Sequence, residues 1–467
     1  MAHYDLLVIG TGPAGQKAAV QAAKLGKKVG LIEKKEVVGG VCINTGTIPS
    51  KALREAVLYF SGIPQRRIYG APYRLKERIT IEELSLHTNY VITNEIEVVH
   101  DQMARNRIDM IPGSASFVDP RRLRIQHRNG LSEHTADFIV IAVGTEPSRP
   151  SEIPFDDTTI IDTDRLMTLK HLPTSIVIVG GGVIGTEYAS IFAALGIPTT
   201  LIDKRPRLME FADVEIIDML QQRMKEIGVT LYHDEEVLAI KRGADNSIDV
   251  HLRHAKPIQA STLMYAIGRV GATKGLNLEA AGLKADTRGR LSVNEHFQTA
   301  VPHIYAAGDV IGFPALASTS MQQGRHASCH AFGYPDRTDN SLLPYGIYSI
   351  PQLSMVGRSE EELTQAGVPY AVGIARYKEI ARGLLMGDET GMLKLLFHRQ
   401  TYELLGVHII GEGATELIHI GQAVMAHRGR IHYFIDTVFN YPTLAECYKV
   451  AALDGINRLP RPWAPYR

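Results

Sequence analysis

The chain of 467 residues has few of the features that mark secreted, membrane or nucleic-acid-binding proteins. Its 3 cysteines lie far apart, which argues against a disulfide framework and is typical of a protein in a reducing cytoplasm. Lys+Arg 50 balances Asp+Glu 50, so no net field favours a nucleic acid or an anionic membrane. No run of about 18 apolar residues predicts a membrane span. The first residues lack the pattern of a signal peptide, and we expect a cytoplasmic protein.

Glycine, by contrast, is abundant, and its first cluster lies close to the N-terminus. An apolar run bounded by glycine predicts a buried parallel strand at 4–9. The turn GTGPAG follows at 10–15, then a helix predicted over 16–25 and a strand over 28–32 that ends at Glu33. In such a G-x-G-x-x-G unit the backbone approaches a pyrophosphate at a helix N-terminus, and the acid binds ribose hydroxyls. A ligand-free tight turn uses the same letters; the surrounding strand, helix and acid favour a nucleotide site.

The same pattern recurs in the middle of the chain. A strand is predicted at 176–179, the turn GGGVIG at 180–185, a helix at 186–195 and a strand at 198–202 that ends at Asp203. Two complete units imply that two nucleotides bind at once. The alternative is that one unit is a degenerate duplicate, but both glycine triplets and both acids are intact.

The remaining segments predict further helices and strands. A long helix is predicted over 81–107, and the alternation over 108–125 predicts short antiparallel strands. The segment TAVPHIYAAGD at 299–309 again reads as a strand followed by a turn. From about 342 the pattern is mixed α/β, with one strand predicted at 404–410. The sequence therefore predicts an α/β protein of two to four domains.

The segment GGVCINTGTIPSK at 39–51 connects these units to a known family. Together with both glycine turns and 299–309, it makes the whole chain resemble the class I pyridine nucleotide–disulfide oxidoreductases, a family of FAD enzymes. The resemblance implies two Rossmann-like dinucleotide-binding domains, as in glutathione reductase, plus a C-terminal α/β dimerisation domain. It implies a homodimer or higher homo-oligomer. The predicted domains are FAD-binding (1–147 and 271–341), NAD(P)-binding (148–270) and interface (342–467).

The resemblance also assigns site residues by position. It implies that Lys51, paired with Glu187, is catalytic beside the flavin. The residues implied to bind FAD are Gly10, Gly12, Gly15, Glu33, Gly39, Gly40, Val41, Cys42, Lys51, Ala115, Thr145, Gly308, Asp309 and Ala317. Those implied to bind the nicotinamide nucleotide are Gly180, Gly182, Gly185, Asp203, Lys204, Arg205 and Gly268.

Two positions depart from the disulfide-reducing members of the family. Cys42 stands at the first cysteine of their redox pair, but the second position is Thr47, whose hydroxyl cannot form a disulfide. Their histidine before Pro-Thr is replaced by Tyr441, a phenol poorly matched to proton transfer at neutral pH. We therefore expect the flavin to pass hydride itself. We interpret Cys42 as a residue that packs against and contacts FAD. The alternative is a redox-active thiol that is oxidised to a sulfenic acid.

The second nucleotide unit carries signals for both nicotinamide nucleotides. Asp203 would accept hydrogen bonds from the 2′-hydroxyl of NAD(H) and repel the 2′-phosphate of NADP(H). Lys204, Arg205 and Arg207 follow directly and could hold that phosphate, although a solvated basic turn is the alternative. Val183 stands where some relatives have an aromatic lid. The mixed chemistry favours a site that accepts both nucleotides.

Three short stretches match one branch of the family: GTIPSK at 46–51, GVIGTEYAS at 182–190 and FNYPT at 439–443. In that branch hydride passes between NADPH and NAD⁺ through FAD. The first alternative is an NAD(P)H diaphorase, quinone reductase or lipoamide dehydrogenase-like enzyme. The second is a non-catalytic FAD-binding scaffold. The histidines show no metal-ligand spacing, so we expect no metal.

Overall fold

The computed structural model describes residues 1–63, 68–70, 79–243, 247–335 and 342–460. Within these ranges no helix combines the length and apolar character needed to cross a membrane.

In the part of the chain that the structure describes, the strands form three larger sheets and two small ones. The strands are β1 (Ala2–Ile9), β2 (Val29–Glu33), β3 (Asp109–Pro112), β4 (Ser114–Asp119), β5 (Arg122–His127), β6 (Gly130–Ile141), β7 (Thr145–Pro147), β8 (Ile160–Asp162), β9 (Ile176–Val179), β10 (Thr199–Ile202), β11 (Val229–Tyr232), β12 (Val237–Arg242), β13 (Ile248–Leu252), β14 (Ile258–Ala260), β15 (Thr262–Tyr265), β16 (Arg269–Gly271), β17 (Ile304–Ala306), β18 (Tyr345–Ile347), β19 (Leu353–Gly357), β20 (Tyr370–Arg376), β21 (Met392–His398) and β22 (Leu404–Ile410).

Helices cover the sheets and join the domains. The α-helices in the described ranges are α1 (Pro13–Lys24), α2 (Gly40–Asn44), α3 (Thr47–Ser61), α4 (Ile81–Arg105), α5 (Val183–Ala194), α6 (Val214–Glu226), α7 (Ala317–Ala331), α8 (Glu360–Gln365), α9 (Ala381–Met386), α10 (Ala414–Ala426), α11 (His432–Asp436) and α12 (Glu446–Asn457).

The first sheet has the order β3-β2-β1-β6-β5-β4, with β17 added beside β6. Strand β17 follows the second nucleotide unit in the chain, so that unit is inserted within the first. The second sheet, β11-β10-β9-β15-β8, is entirely parallel, and the third, β18-β19-β22-β21-β20, is antiparallel. The predicted α/β fold class is confirmed. The proposed domain boundaries near residues 147, 270 and 341 stay a prediction. Strands β7 and β16, which lie at the first two of these boundaries, pair with each other.

Both nucleotide-unit helices begin earlier than the sequence predicted. Helix α1 begins at Pro13 instead of Gln16, and α5 begins at Val183 instead of Thr186. The last residues of each glycine turn therefore already belong to the helix. Proline fits the first helical position, because its fixed φ suits the helix and its missing N–H would have no intrahelical partner there.

Helix α7 packs against the first nucleotide turn and follows the segment at 299–309, which is called the second flavin segment below. A Cβ at Gly324 would lie 2.0 Å from the backbone oxygen of Ala14, so only glycine permits this approach to α1. The Ser328 hydroxyl also donates to the backbone oxygen of Ala18 at 2.8 Å. Gly308, which precedes α7, lies near the turn at 10–15: a Cβ on it would lie 3.1 Å from Ala14 Cβ, and its N–H donates to Gln323 on α7.

An ion cluster around the buried Lys394 joins the second nucleotide domain to the C-terminal domain. The Lys394 side chain is 1% exposed, and its Nζ lies 3.0 Å from both Asp213 Oδ1 and Glu215 Oε2. It also contacts Glu360. Asp213 caps α6, accepting from Ile216 N at 3.4 Å. A buried ammonium is tolerable only when paired in this way, so the cluster fixes the two domains relative to each other.

Candidate nucleotide and flavin site

A cavity of about 1120 Å³ lies where the three domains meet. The first domain contributes Lys51 and Asp309 to its wall, the second contributes Glu187 and Asp203, and the C-terminal domain contributes Tyr348. Ligand sites occur preferentially at such domain junctions. The cavity therefore unites residues that the sequence placed in separate motifs.

The three glycines of the first turn have different physical roles. A Cβ at Gly10 (φ +106°) would lie 2.4 Å from Ala142 O, and one at Gly15 would lie 1.9 Å from Gly10 O. A Cβ at Gly12 would meet no described atom within 4 Å. Gly10 and Gly15 therefore allow the turn to close, whereas Gly12 leaves open space before α1 for an approaching phosphate.

The second turn repeats this geometry. A Cβ at Gly180 (φ +112°) would lie 2.6 Å from Ala266 O, and one at Gly185 would lie 1.9 Å from Gly180 O, while Gly182 faces space clear of described atoms. Neither α1 nor α5 has an acidic side chain in its first turn. Both helix N-termini thus keep the positive field that attracts a pyrophosphate.

The two predicted acids terminate equivalent strands and face their own turns. Glu33 accepts from Thr11 N at 3.1 Å, from the Thr11 hydroxyl, and from Lys35 N at 2.9 Å. Asp203 accepts from Gly181 N and from the Arg205 guanidinium. Each carboxylate therefore links strand to turn at the place where a ribose would lie.

Arg205 holds Asp203 in a two-pronged ion pair. Its Nε lies 2.9 Å from Oδ1 and its Nη2 lies 2.7 Å from Oδ2. Burial would raise the pKa of the Asp203 carboxyl, but hydrogen bonds from Arg205 and Gly181 outweigh it and hold that pKa below its usual value. Asp203, Lys204 and Arg205 all line the cavity. The acid and the base predicted to compete for the nucleotide thus already pair with each other.

The segment at 39–51, which contains Cys42 and Thr47 and is called the redox segment below, folds against the first turn. Gly39 N donates to the Thr11 hydroxyl at 3.0 Å, and a Cβ at Gly40 (φ +60°) would lie 2.9 Å from Gly12 Cα. Val41 continues into α2 and lines the cavity. The two glycines of this segment therefore bring it within reach of whatever occupies the space beside Gly12.

Cys42 is half-buried and unpaired with any other cysteine. Burial raises the pKa of its thiol, and the hydrogen bond with the Thr47 hydroxyl only partly opposes this. A thiol held in its neutral form is a poor nucleophile and is oxidised slowly. Cys329 and Cys447 are fully buried, and burial raises the pKa of Cys447 to about 12. These thiols are therefore structural.

Asp309 closes the cavity from the second flavin segment. Burial raises the pKa of its carboxyl, against the opposing effects of Arg269 and of hydrogen bonds from Ser320 and Thr145. Arg269 in turn donates from Nε to the Thr145 hydroxyl at 2.9 Å. Beside Asp309, Gly308 N donates to Gln323 Oε1 at 2.8 Å. Ala317, the first residue of α7, also lines the cavity.

Lys51 and Glu187 meet across the domain boundary. Lys51 Nζ lies 3.0 Å and 2.8 Å from the two Glu187 oxygens, with side-chain exposures of 25% and 4% for the lysine and glutamate. The ammonium also lies 4.9 Å from the centre of the Tyr348 ring, and Tyr348 N donates to Glu187 Oε1 at 2.8 Å. The lysine is thus a fixed, partly exposed cation at the cavity wall.

Some sequence expectations stay open, and some lining residues were missed. Ala115 lies on β4 within the apolar core of the first domain, and its role toward FAD stays a prediction. Gly268 lines the cavity, as does Arg288, whose Nη2 would lie 3.1 Å from a Cβ at Gly268. Neither Arg288 nor Tyr348 belongs to a sequence motif, because each reaches the cavity only through folding. No group of residues in the described ranges is arranged to hold a metal ion.

The donor and acceptor set fits a dinucleotide with a flavin ring. Gly12 leaves room for a pyrophosphate at the start of α1, Glu33 stands at the ribose position, and Gly40 approaches the same loop. The partly buried carboxylate of Asp309 can accept hydrogen bonds from a polyhydroxyl chain, and Lys51 offers a cation to an electron-rich ring. The residues present therefore fit FAD.

Comparison with known proteins agrees with this geometry. Residues 4–324 match the model of pyridine nucleotide-disulphide oxidoreductases, and residues 343–452 match the dimerisation domain of that family. The chain is 52% identical over 461 residues to a soluble pyridine nucleotide transhydrogenase of Mycobacterium bovis, covering 98% of each chain. It is 45% identical to a protein of the same name from Colwellia psychrerythraea, covering 98% of each.

A solved structure shows the same architecture. The flavoprotein disulfide reductase RclA from Escherichia coli, in a Cu(II) complex, is 29% identical and superposes with a TM-score of 0.86 over 97% of this chain and 99% of its own. Together, the two family models cover most of the chain from residue 4 to residue 452. The chain therefore belongs to the pyridine nucleotide-disulphide oxidoreductase family, whose members are FAD-dependent oxidoreductases.

Proposed function

We propose that this protein passes hydride between NADPH and NAD⁺, in either direction, through bound FAD and without a redox disulfide. The observation that carries the proposal is the redox segment, where Cys42 is a lone thiol with a raised pKa and Thr47 stands at the partner position. Relatives covering 98% of the chain carry the name soluble pyridine nucleotide transhydrogenase. Those relatives do not favour a diaphorase or a lipoamide dehydrogenase.

Bound FAD would supply a reversible hydride acceptor for the nicotinamide ring. The chain supplies binding, orientation and electrostatics. The turn before α5 offers its N–H groups to the nucleotide pyrophosphate, and Val183 flanks the nicotinamide pocket with an apolar side chain. Lys51, oriented by Glu187, stabilises negative charge that develops at the cavity wall during transfer.

The single cavity implies a ping-pong order. Both nucleotides would use the turn at 180–185 and Asp203 in succession, because the described chain presents only one such nicotinamide unit on this cavity. Initial rates with NADPH and an NAD⁺ analogue should then give parallel double-reciprocal lines. Intersecting lines would show that both nucleotides bind together, which one shared site forbids.

The rate at which the reduced enzyme is reoxidised distinguishes a transhydrogenase from a diaphorase. We expect enzyme reduced anaerobically by NADPH to be reoxidised faster by NAD⁺ than by a quinone or oxygen. A faster reaction with quinone in stopped-flow absorbance would favour that alternative. Enzyme that stays yellow after NADPH is added would instead support a non-catalytic scaffold.

The stereochemistry and the compartment are part of the proposal. We assign the Si-specific type of transfer from the sequence resemblance. NADPH carrying deuterium at the 4S position should therefore reduce the flavin more slowly than NADPH carrying it at 4R. No disulfide joins the cysteines of the described residues, which suits a reducing cytoplasm. Fractionation of the source cells tests the compartment.

The lone thiol gives a prediction about inhibition. Arsenite, which traps paired thiols, should leave the activity unchanged, because Thr47 offers no second thiol to Cys42. The Cys42→Ser variant should keep most of its activity with normal FAD content, measured as NADPH-dependent reduction of an NAD⁺ analogue. The Cys329→Ser variant is the control for a thiol away from the cavity. Loss of activity in Cys42→Ser alone, with FAD retained, would make Cys42 catalytic.

A further inference from the structure

Arg54 is a fully buried cation one helical turn beyond Lys51 on α3. Its side chain is 0% exposed. Its Nε donates to the backbone oxygen of Ser349 at 3.0 Å, and its Nη2 to Glu412 Oε2 at 3.2 Å. The third bond, from Nη1 to Glu55 Oε1 at 2.6 Å, goes to a side chain that is 58% exposed. Arg54 thus links the flavin domain to the C-terminal domain.

The segment that Arg54 contacts, residues 348–350, will be called the strap. It connects β18 to β19 and crosses α3 and α5. Arg54 holds the carbonyl of the Ser349–Ile350 peptide from α3, and Ser190 Oγ accepts the N–H of the same peptide from α5 at 3.0 Å. One peptide plane is therefore clamped between two helices.

The same strap contacts the Lys51–Glu187 pair directly. Its Tyr348 N–H donates to Glu187, and its Tyr348 ring lies beneath the Lys51 ammonium. The Ser190 hydroxyl that accepts from the strap also donates to the backbone oxygen of Glu187 at 2.8 Å. A rotation of the clamped peptide would therefore move the hydrogen-bond donor and the ring that orient both members of the pair.

We propose that Arg54 is a positioning residue, which fixes the strap and through it the placement of Lys51 at the cavity wall. The inference rests on the proposed role of Lys51 in flavin reduction. A buried guanidinium is costly to desolvate, and apolar residues of similar size often stabilise a core better. Its three bonds therefore contribute orientation more than folding free energy. An orienting group of this kind matters because small displacements of catalytic groups slow the reaction strongly.

Arg54→Met tests the inference with two measurements. Amide hydrogen exchange of the peptide that contains Tyr348 and Ile350 should become faster by about tenfold. Without Arg54 the Ser349 carbonyl is released, and movement of the strap loosens the bonds of these two N–H groups to Glu187 and Ser190 Oγ. The rate of FAD reduction by NADPH should fall by about tenfold with FAD content unchanged. Arg54→Lys should recover part of both losses, since an ammonium can still reach one acceptor.

Combination with Lys51→Met distinguishes positioning from general destabilisation. If Arg54 acts through Lys51, Arg54→Met should change the reduction rate by less than about twofold when Lys51 is already methionine. Equal fold-losses in both backgrounds would overturn the proposal. So would unchanged amide exchange in the strap. Glu55→Gln, which alters only the exposed partner of Arg54, is the matched control and should leave both measurements unchanged.

Ser190→Ala keeps the inference testable if Arg54→Met does not fold. This variant removes the acceptor of the Ile350 N–H on α5 without leaving a buried charge. Amide hydrogen exchange of the strap should again become faster. The rate of FAD reduction should again fall when Lys51 is present and change little when Lys51 is methionine. Only the reductive half-reaction is measured in these variants. If the enzyme proved unable to pass hydride from NADPH to NAD⁺, the proposed function would be wrong, but the effect of Arg54 on flavin reduction could still be measured.

Discussion

Replacement of Lys51 by methionine should slow reduction of the bound flavin by NADPH about 10²-fold, the scale seen when one electrostatic stabiliser is removed. The Lys51 ammonium is held by both oxygens of Glu187 and by the Tyr348 ring, so its charge costs no reorganisation when negative charge develops nearby. Anaerobic stopped-flow absorbance of the flavin measures the rate directly.

FAD should stay bound in Lys51→Met, because the turn at 10–15 and Glu33, remote from Lys51 in the chain, supply the contacts for its phosphates and ribose. Lys204→Met is the matched control: it removes another lysine from the same cavity wall, beside the nucleotide acid, and should raise the KM for nucleotide without changing the maximal reduction rate. A normal reduction rate in Lys51→Met would make this lysine structural.

Substitution at Asp203 and Arg205 should change the two nucleotide affinities in opposite directions. Asp203→Ala should weaken NAD(H) by the loss of one or two hydrogen bonds to a charged group, about 1.5–3 kcal/mol each. The same change frees the Arg205 guanidinium, which the carboxylate otherwise holds by two bonds, to bind the 2′-phosphate of NADP(H). NADP(H) should therefore bind more tightly to this variant.

Arg205→Ala should have the reverse effect. It should weaken NADP(H) selectively, and the loss should shrink as salt is raised, because the guanidinium is partly exposed to solvent. Equilibrium titration of each nucleotide, followed by flavin or nicotinamide fluorescence, gives the affinities.

Arg288→Ala is the matched control for these variants. Arg288 lines the same cavity beside Gly268 and forms no ion pair with Asp203, so its loss should affect both nucleotides alike. If Arg205→Ala leaves NADP(H) unchanged while Asp203→Ala abolishes NAD(H) binding, the site is an ordinary NAD pocket. The dehydrogenase or diaphorase alternative would then be favoured.

The nucleotide turns were predictable because their physics is local. Gly10 and Gly15 close a turn within six residues, and the acid that faces them, Glu33, ends the next strand. The contact of Gly15 with Gly10 and the bonds of Glu33 to Thr11 all lie between residues 10 and 33, and only the contact of Gly10 with Ala142 lies outside this stretch. The parallel unit around Gly180 follows for the same reason.

The contacts around Lys51 could not be predicted from local sequence, because they join residues that are far apart in the chain. Glu187 is 136 positions from Lys51, and Ser349 is 295 positions from Arg54. Each contact exists only after β18 and β19 have placed the strap between α3 and α5. Even the neighbouring ions Asp203 and Arg205 were expected to compete for a ligand, and the sequence did not show that they bind each other. Side-chain pairing depends on how the chain bends after β10.

The ion cluster around Lys394 bears on how nucleotides enter and leave. An exchange reaction must empty and refill one cavity in every cycle, and many enzymes do so by swinging whole domains apart. Such a swing here would break the contacts of the Lys394 ammonium with Asp213 and Glu215 and leave only Glu360, in its own domain, as a partner in the cluster. We therefore expect nucleotides to bind and leave through small movements of residues at the cavity entrance. A covalent cross-link between the second nucleotide domain and the C-terminal domain should leave turnover intact.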